Sequence, residues 1–231
     1  MAAGVIQRVT GLAFVLVLIG PIVLVYGPVE GVTLAVLLAV IASAMALPSA
    51  WRDIDWVRAL WLLGAGLVAA PFGALLARLL PEPALLFAIA AMAIIALLGP
   101  RASGPAAAAL RGRRGAIAAG AIAGFMHSSS GLSGPALAAY AIADHWEQRR
   151  FAASAQVIFL GYGATSVLLR GLPDTPAWEV LVLGVCTAIG IIGGSVLTRV
   201  VPVPLARAVM LWCASIGALV VLVRAVVAVA Q

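Results

Sequence analysis

Three stretches of this chain, Val9 to Tyr26, Val32 to Leu47 and Phe151 to Leu169, run for 16 to 19 residues without a charged side chain. A helix needs roughly 20 residues of that character to cross a hydrocarbon layer about 30 Å thick. Backbone placed in such a layer must satisfy its own N–H and C=O groups, so long apolar runs of this kind fold as helices. Similar runs cover Val57 to about Leu80, the stretch after Pro81-Glu82-Pro83 to Leu98, Ala177 to Val200, and a last stretch ending near Val229. With 65% of its residues hydrophobic and only 10% charged, the chain cannot cover an aqueous exterior with polar side chains. The sequence predicts an all-α, polytopic membrane helical bundle of about eight transmembrane segments, with lipid as its outer solvent. The opening Met-Ala-Ala-Gly ahead of Arg8 resembles a signal peptide start. No short cleavage tail follows Leu18, and the run is read as a retained first span.

All 14 basic residues are arginine, against eight acidic ones, for a formal charge of +6. The arginines are spread over short connections, where membrane topology asks for positive charge, so an anionic leaflet is the expected partner and nucleic acid is not. Eight crossings put Arg8, Arg52, Arg58, Arg101, Arg111, Arg113, Arg114, Arg170 and Arg224 on one side. Arg78, Arg149, Arg150, Arg199 and Arg207 then fall on the other. This asymmetry places both termini in the cytoplasm, with the protein in the cell inner (cytoplasmic) membrane. Cys186 and Cys213 sit in apolar runs without metal-ligand spacing, as buried filler, and no metal or cofactor is expected.

An internal repeat divides the chain. Leu75 to Pro83 aligns with Val196 to Pro204, matching Arg78 to Arg199, Pro81 to Pro202 and Pro83 to Pro204. Gly73 falls on Gly194 in the same register, and a one-residue adjustment sets Trp56 on Trp178. Gly20-Pro21 can be set against Gly134-Pro135. Repeats of this kind are typical of secondary transporters. The expected division is an N-terminal transmembrane repeat over 1–100, an arginine-rich linker over 101–115, and a C-terminal repeat over 116–231.

The run from Ala116 to Ala143 differs from the rest, because His127-Ser128-Ser129-Ser130-Gly131-Leu132-Ser133-Gly134-Pro135 interrupts it near the middle. Its apolar flanks are half a bilayer long each, so they form either two halves of a discontinuous helix or the arms of a re-entrant hairpin. In the second case the two halves of the chain become inverted. Irregular chain at that depth is tolerated only against protein or water. Glycines let the backbone approach a ligand, and proline loses nothing at a first helical position. Free amides at a helix start, serine hydroxyls and a positive dipole end together suit an oxyanion; the alternative is a glycine-serine packing seam. His127 either donates to an anion or titrates in proton coupling, or hydrogen-bonds across a helix pair. Tyr162 and Ser166 lie four apart on one face of span six and either line a polar path or bond back to their own helix. His145 belongs to a charged interfacial loop. Enzyme signatures are missing: Gly131-Leu132-Ser133-Gly134-Pro135 has proline where a nucleophile elbow needs glycine, and no acidic partner stands nearby. A transporter, an anion or small-solute channel, and a structural membrane protein remain as function classes.

The stretch Gly124-Phe125-Met126-His127-Ser128-Ser129-Ser130-Gly131-Leu132-Ser133-Gly134-Pro135-Ala136-Leu137 resembles the glycine-rich break of the sulfite exporter TauE/SafE family, also described as the four-toluene-sulfonate uptake permease family. Arg52-Asp53-Ile54-Asp55-Trp56 is similar to that family's basic loop leading into the third span. The resemblance implies a secondary transporter moving small sulfur-containing anions such as sulfite or sulfonates, with proton linkage; a homo-oligomer is a separate expectation. It carries substrate contact to Ser128, Ser129, Ser130, Gly131, Ser133, Gly134 and Pro135. Family members usually place a matching break in the first half, where this chain offers only Gly20-Pro21.

Overall fold

The computed structural model describes residues 2–10, 14–98, 110–197 and scattered positions between 205 and 227. The described chain is all helical, with α1 at Ala2–Thr10, α2 at Phe14–Tyr26, α3 at Pro28–Ala50, α4 at Trp56–Leu79 and α5 at Glu82–Leu98. It continues with α6 at Gly112–Ser130, α7 at Gly134–Ala143, α8 at Gln148–Arg170 and α9 at Ala177–Leu197. Among the described residues four stretches are long and apolar enough to cross a membrane: Pro28–Asp53, Trp56–Leu79, Gln148–Arg170 and Ala177–Ser195. Val25, Val68, Phe72, Leu168 and Trp178 point outward and exposed, as side chains facing lipid do.

Local chemistry sets the helix ends. Asp55 caps α4 by accepting from the Arg58 amide at 3.3 Å. Arg78 stands in the last turn of the same helix, and Leu80 turns extended ahead of Pro81. Pro28 opens α3 at a position where a missing N–H costs nothing. Pro48 lies inside α3, so the helix runs on into the stretch that reads as a polar loop, and only the 3-10 turn Trp51–Asp53 follows it.

Polar contacts at the helix ends sort them onto two faces. On the first, Arg58 meets Asp144 at 2.8 Å, Arg149 meets Asp53 at 2.9 Å, and Ser154 accepts from the Asp55 amide at 2.9 Å. The Gly112 amide donates to Asp144 Oδ1 at 2.8 Å and Arg111 Nε to the Ala143 carbonyl at 3.1 Å, on the same face. On the second face the Tyr26 hydroxyl donates to Glu179 at 2.7 Å, the Thr175 amide to Glu30 at 2.8 Å, and Arg170 Nε to Thr33 at 3.2 Å. Therefore α4 and α8 run from the first face to the second, while α3 and α9 run back.

These contacts settle the form of the interrupted segment. α6 begins and α7 ends at one face, so residues 112–143 are a helical hairpin that enters and leaves on the same side. Its arms are unequal. α6 has 19 residues and α7 has 10, where the sequence suggested two equal halves starting at Ala116. The first arm starts inside the expected linker, since Gly112 finds its partner in Asp144. The hairpin also redistributes the arginines. Arg149 and Arg150 join Arg58 on the first face, with Asp53 and Asp55 as partners, and Arg170 moves to the second. The eight-crossing count had these three reversed, because it treated the hairpin as a crossing.

The first span also differs from its expected bounds. A separate helix, α1, takes in Val9 and Thr10, α2 starts only at Phe14, and the polar Gln7 of α1 is buried because it donates to Gln156 Oε1 at 3.1 Å. The second copy of the proline turn lies outside the described residues from 198 on, as do Cys213, Arg101, Arg199, Arg207 and Arg224. Cys186 is a half-buried free thiol.

α4 and α6 make the most intimate pairing. They run parallel with Gly120 against Leu62 and Gly124 against Gly66, so close that a Cβ on Gly124 would lie 2.1 Å from the Gly66 carbonyl oxygen. Small residues let backbones approach in this way where no hydrophobic effect drives helices together. The Tyr162 hydroxyl clasps the seam, donating to the Leu62 carbonyl at 2.6 Å and lying 3.2 Å from the Gly120 carbonyl.

Candidate functional site

The hairpin tip is built by a helix stop and a helix start three residues apart. Gly131 takes a left-handed conformation, φ 78°, as the C-cap of α6, and its amide returns to the His127 carbonyl at 2.8 Å. Glycine accepts that conformation without a Cβ clash. Pro135 then sits in the first turn of α7. Register along α4 and α8 places the tip beyond the midplane, roughly 6 to 13 Å short of the second face at 1.5 Å per residue.

The tip is densely polar and buried. His127, Ser128, Ser129, Ser130 and Ser133 are all within 2% of full burial. His127 Nδ1 and Ser133 Oγ are 2.8 Å apart. That bond takes the hydroxyl that would otherwise cap α7, and the first-turn amides of α7 have no side-chain cap. The imidazole lies nearly parallel to Phe159, centroids 6.4 Å apart, and tilted against Tyr162 at 5.8 Å. Its Nε2 is buried and finds no hydrogen-bond partner among the described residues. Buried polar atoms are nearly always paired, so an orphan here asks for a reason.

The three consecutive serines act differently. Ser128 shares a hydrogen bond with Ser166 at 3.0 Å, joining the tip to α8. Ser129 and Ser130 turn back to the Met126 carbonyl at 3.2 and 2.9 Å and touch the Met92 sulfur of α5. Self-bonding of this kind is common for hydroxyls in helices. Gly134 and Pro135 are half-buried at the start of α7, whereas Gly131 is buried between Val15 of α2 and Val36 of α3.

The structure brings together His127, Ser128, Ser133, Tyr162 and Ser166, with Gly134 and Pro135 at the α7 start. It does not bring Gly20 and Pro21 to them as a second break. Both lie inside the continuous helix α2, with Gly20 buried and Pro21 exposed. Among the described residues no polar contact ties them to the tip.

Sequence reasoning missed Arg170, which it placed in a loop. Its guanidinium reaches back into the protein, donating to the carbonyls of Ser128 at 2.9 Å and Ser129 at 3.5 Å, to Val29 at 3.3 Å, and to Thr33. The signal available was a cation closing an apolar run, where it can cap neighbouring helix C-termini. It also missed the Gln7–Gln156 pair. A cavity of about 190 Å³ opens from the first face between Asp53 and Arg149 and reaches that pair past Ser49 and Ala46. Ser43, one turn further along α3, is buried with its hydroxyl unpartnered among the described residues. A larger, shallower cavity on the same face is lined by Trp51, Arg52 and Arg149, and another by Arg58, Trp61 and Asp144.

At the first face Asp144 anchors the hairpin base, taking Arg58, the Gly112 amide and the Tyr140 hydroxyl at 3.3 Å. Burial alone would raise its pKa. The Gly112 amide and the Arg58 guanidinium outweigh that and hold the carboxyl below its ordinary range. Among the described residues no cluster of three metal-ligating side chains exists.

No curated protein and no solved structure matches the chain. A family model does: that of the sulfite exporter TauE/SafE family, over residues 1–221. Members of that family are transporters and not enzymes. The match spans both halves and the hairpin alike, and with the multi-pass helical architecture it makes the chain a membrane transport protein. The chain belongs to the sulfite exporter TauE/SafE family.

Proposed function

We propose that this protein is a secondary transporter of small sulfur-containing anions, sulfite or sulfonates, working by alternating access in a cytoplasmic membrane with proton linkage. The observation that carries the reading is the buried hairpin tip, where the orphaned His127 Nε2, the hydroxyls of Ser128, Ser133 and Ser166, and the uncapped start of α7 converge. An oxyanion finds amides, hydroxyls and a positive helix end there, in a setting of low dielectric where each interaction counts for more than in water. His127 accompanies the anion with a proton, which lowers the cost of moving charge through hydrocarbon.

The cavity at Gln7 and Gln156 supports access from the arginine-rich face, which is cytoplasmic on the positive-inside rule. Its floor lies about two helical turns along α8 from Gly163, the residue beside His127 Nε2. At the second face the Arg170 contacts close the tip off. Opposite running of α3 against α8 and of α4 against α9 supports two inverted halves, 1–100 and 116–231, joined by 101–115. In that arrangement α3 corresponds to α8 and α4 to α9, and one half gates against the other.

The test is uptake of radiolabelled sulfite and a two-carbon sulfonate into proteoliposomes, with and without an imposed pH gradient. Saturable flux that responds to the gradient is expected, and Gly134→Leu is expected to abolish it while the protein still inserts. Unchanged flux in Gly134→Leu removes the α7 start from the site; unsaturable current without gradient response makes the protein a channel.

A further inference from the structure

We propose that Arg170, assisted by Arg78, is an anion-binding residue that also latches the transport site shut toward the second face; this deepens the transport reading and rests on it. The guanidinium of Arg170 makes four hydrogen bonds, to three backbone carbonyl groups on two helices and to the Thr33 hydroxyl, with the Ser129 contact the longest. All of these acceptors are neutral. Three arginines of the first face are treated differently: Arg58 has Asp55 and Asp144, Arg149 has Asp53, and Arg150 has Asp55. Among the described residues Arg170 has no ion pair. Two carboxylates of its face are engaged elsewhere, Glu30 with Thr175 and Glu179 with the Tyr26 hydroxyl.

A second guanidinium that has no ion pair among the described residues stands beside it. Arg78, in the last turn of α4, donates to the carbonyl of Leu169, the residue before Arg170. Two like charges held this close, beside hydrocarbon and with only neutral acceptors, favour an anion between them. Guanidinium forks match the paired oxygens of sulfite, sulfonate or another small oxyanion. The ligand class is therefore a small oxyanion, approached from the second face.

The same four contacts explain the latch. They tie Ser128 and Ser129 at the hairpin tip to Val29 and Thr33 at the start of α3. An anion that takes the fork off these carbonyls frees the tip from α3, so binding from the second face and opening toward it become one event. A ligand shifts a conformational equilibrium only by its differential affinity, and exchange of carbonyls for a charged partner supplies that difference.

The test is thermal unfolding of the purified full chain in detergent, followed by tryptophan fluorescence, with methanesulfonate or sulfite replacing gluconate at fixed ionic strength. The wild type is expected to show saturable stabilisation. Arg170→Gln is expected to weaken the apparent affinity by about tenfold or more, and Arg78→Gln by about threefold to fivefold, as loss of charged hydrogen bonds implies. Arg170→Lys falls between them because an ammonium cannot fork, and the exposed Arg114→Gln on the first face matches the wild type. Absence of saturable stabilisation in the wild type overturns the proposal, as does wild-type affinity in Arg170→Gln. If Arg170→Gln does not fold, wild-type affinity in Arg78→Gln overturns it equally. The two readings separate cleanly. Anion binding lost in the arginine variants with no flux in wild-type proteoliposomes sinks transport and keeps the anion site, whereas wild-type flux with unaltered affinity in the variants does the reverse.

Discussion

Two glycine-to-alanine substitutions on facing helices should have opposite signs. A Cβ added to Gly124 would meet Gly66 at 2.1 Å from its oxygen, 2.4 Å from Cα and 2.5 Å from its carbonyl carbon. Ordinary contact begins near 3.4 Å, so α4 and α6 must separate by about 1 Å. Backbone cannot rotate aside as a side chain can, which puts the cost at the upper end of the roughly 1 to 3 kcal/mol seen for overpacking. Separation also stretches the Tyr162 bonds to Leu62 and Gly120, worth about 1 kcal/mol each. Alanine returns up to about 1 kcal/mol in helix propensity. The net loss for Gly124→Ala is about 3 kcal/mol, a fall of about 100-fold in the folded-to-unfolded ratio. At Gly64, exposed on α4, a Cβ would meet nothing within 4 Å. Gly64→Ala therefore keeps only the propensity gain, about 0.5 to 1 kcal/mol. Reversible unfolding in mixed micelles titrated with a denaturing detergent reads both. A Gly124→Ala protein as stable as the wild type would falsify the packing argument, whatever Gly64→Ala does.

Other expectations follow from single contacts. Asp144→Asn removes the charge that holds Arg58 and the Gly112 amide, and should cost about 2 kcal/mol in the same unfolding assay. Because folding lowers the Asp144 pKa, its contribution is complete above the unfolded value near 3.9 and is lost as pH falls through the folded one. Wild-type stability should therefore drop more steeply than that of Asp144→Asn on acidification below about pH 4. Tyr162→Phe should cost about 1 kcal/mol, read as a lowered unfolding midpoint, since it removes the clasp over the α4–α6 seam. Ser133→Ala takes away the partner of His127 Nδ1 beside the already orphaned Nε2 and should destabilise by about 1 to 3 kcal/mol, with flux lost at least tenfold.

The sequence made the membrane-helical class legible because apolar run length answers to bilayer thickness and to little else. It also located the tip, since Gly131 and Pro135 carry backbone consequences that hold in any context. It could not show that the segment turns back. The deciding contacts, Gly112 to Asp144 and Arg111 to Ala143, join residues about 32 positions apart and leave no periodic trace. The same gap misassigned three arginines, because sidedness is counted by crossings and one crossing was a hairpin. Gln7 was lost for another reason. A polar residue at the edge of an apolar run reads as its boundary unless its buried partner, Gln156, is known. Arg170 read as a connection because a guanidinium is ordinarily at a surface, and only its four inward acceptors show otherwise.

One face of α8 draws these observations together. Arg149, Gln156, Gly163, Ser166 and Arg170 are spaced by 7, 7, 3 and 4 residues and so share a side of the helix. Each meets a different partner: Asp53, Gln7, Val40, Ser128 and Thr33 in turn. The stripe is polar at both ends, and in the middle it is interrupted where Val40 packs on Gly163, with His127 Nε2 alongside. A channel needs polar groups along its whole length, because an ion leaving one set must find the next within reach. A carrier needs the opposite, a site that is cut off from at least one face at every moment. Among the described residues, the Val40–Gly163 contact lies between the Gln7–Gln156 cavity and the tip, and the Arg170 contacts lie on its other side. On the proposed alternating-access reading, opening either way parts one specific pair of contacts, α3 from α8 at Val40 or α3 from the tip at Arg170.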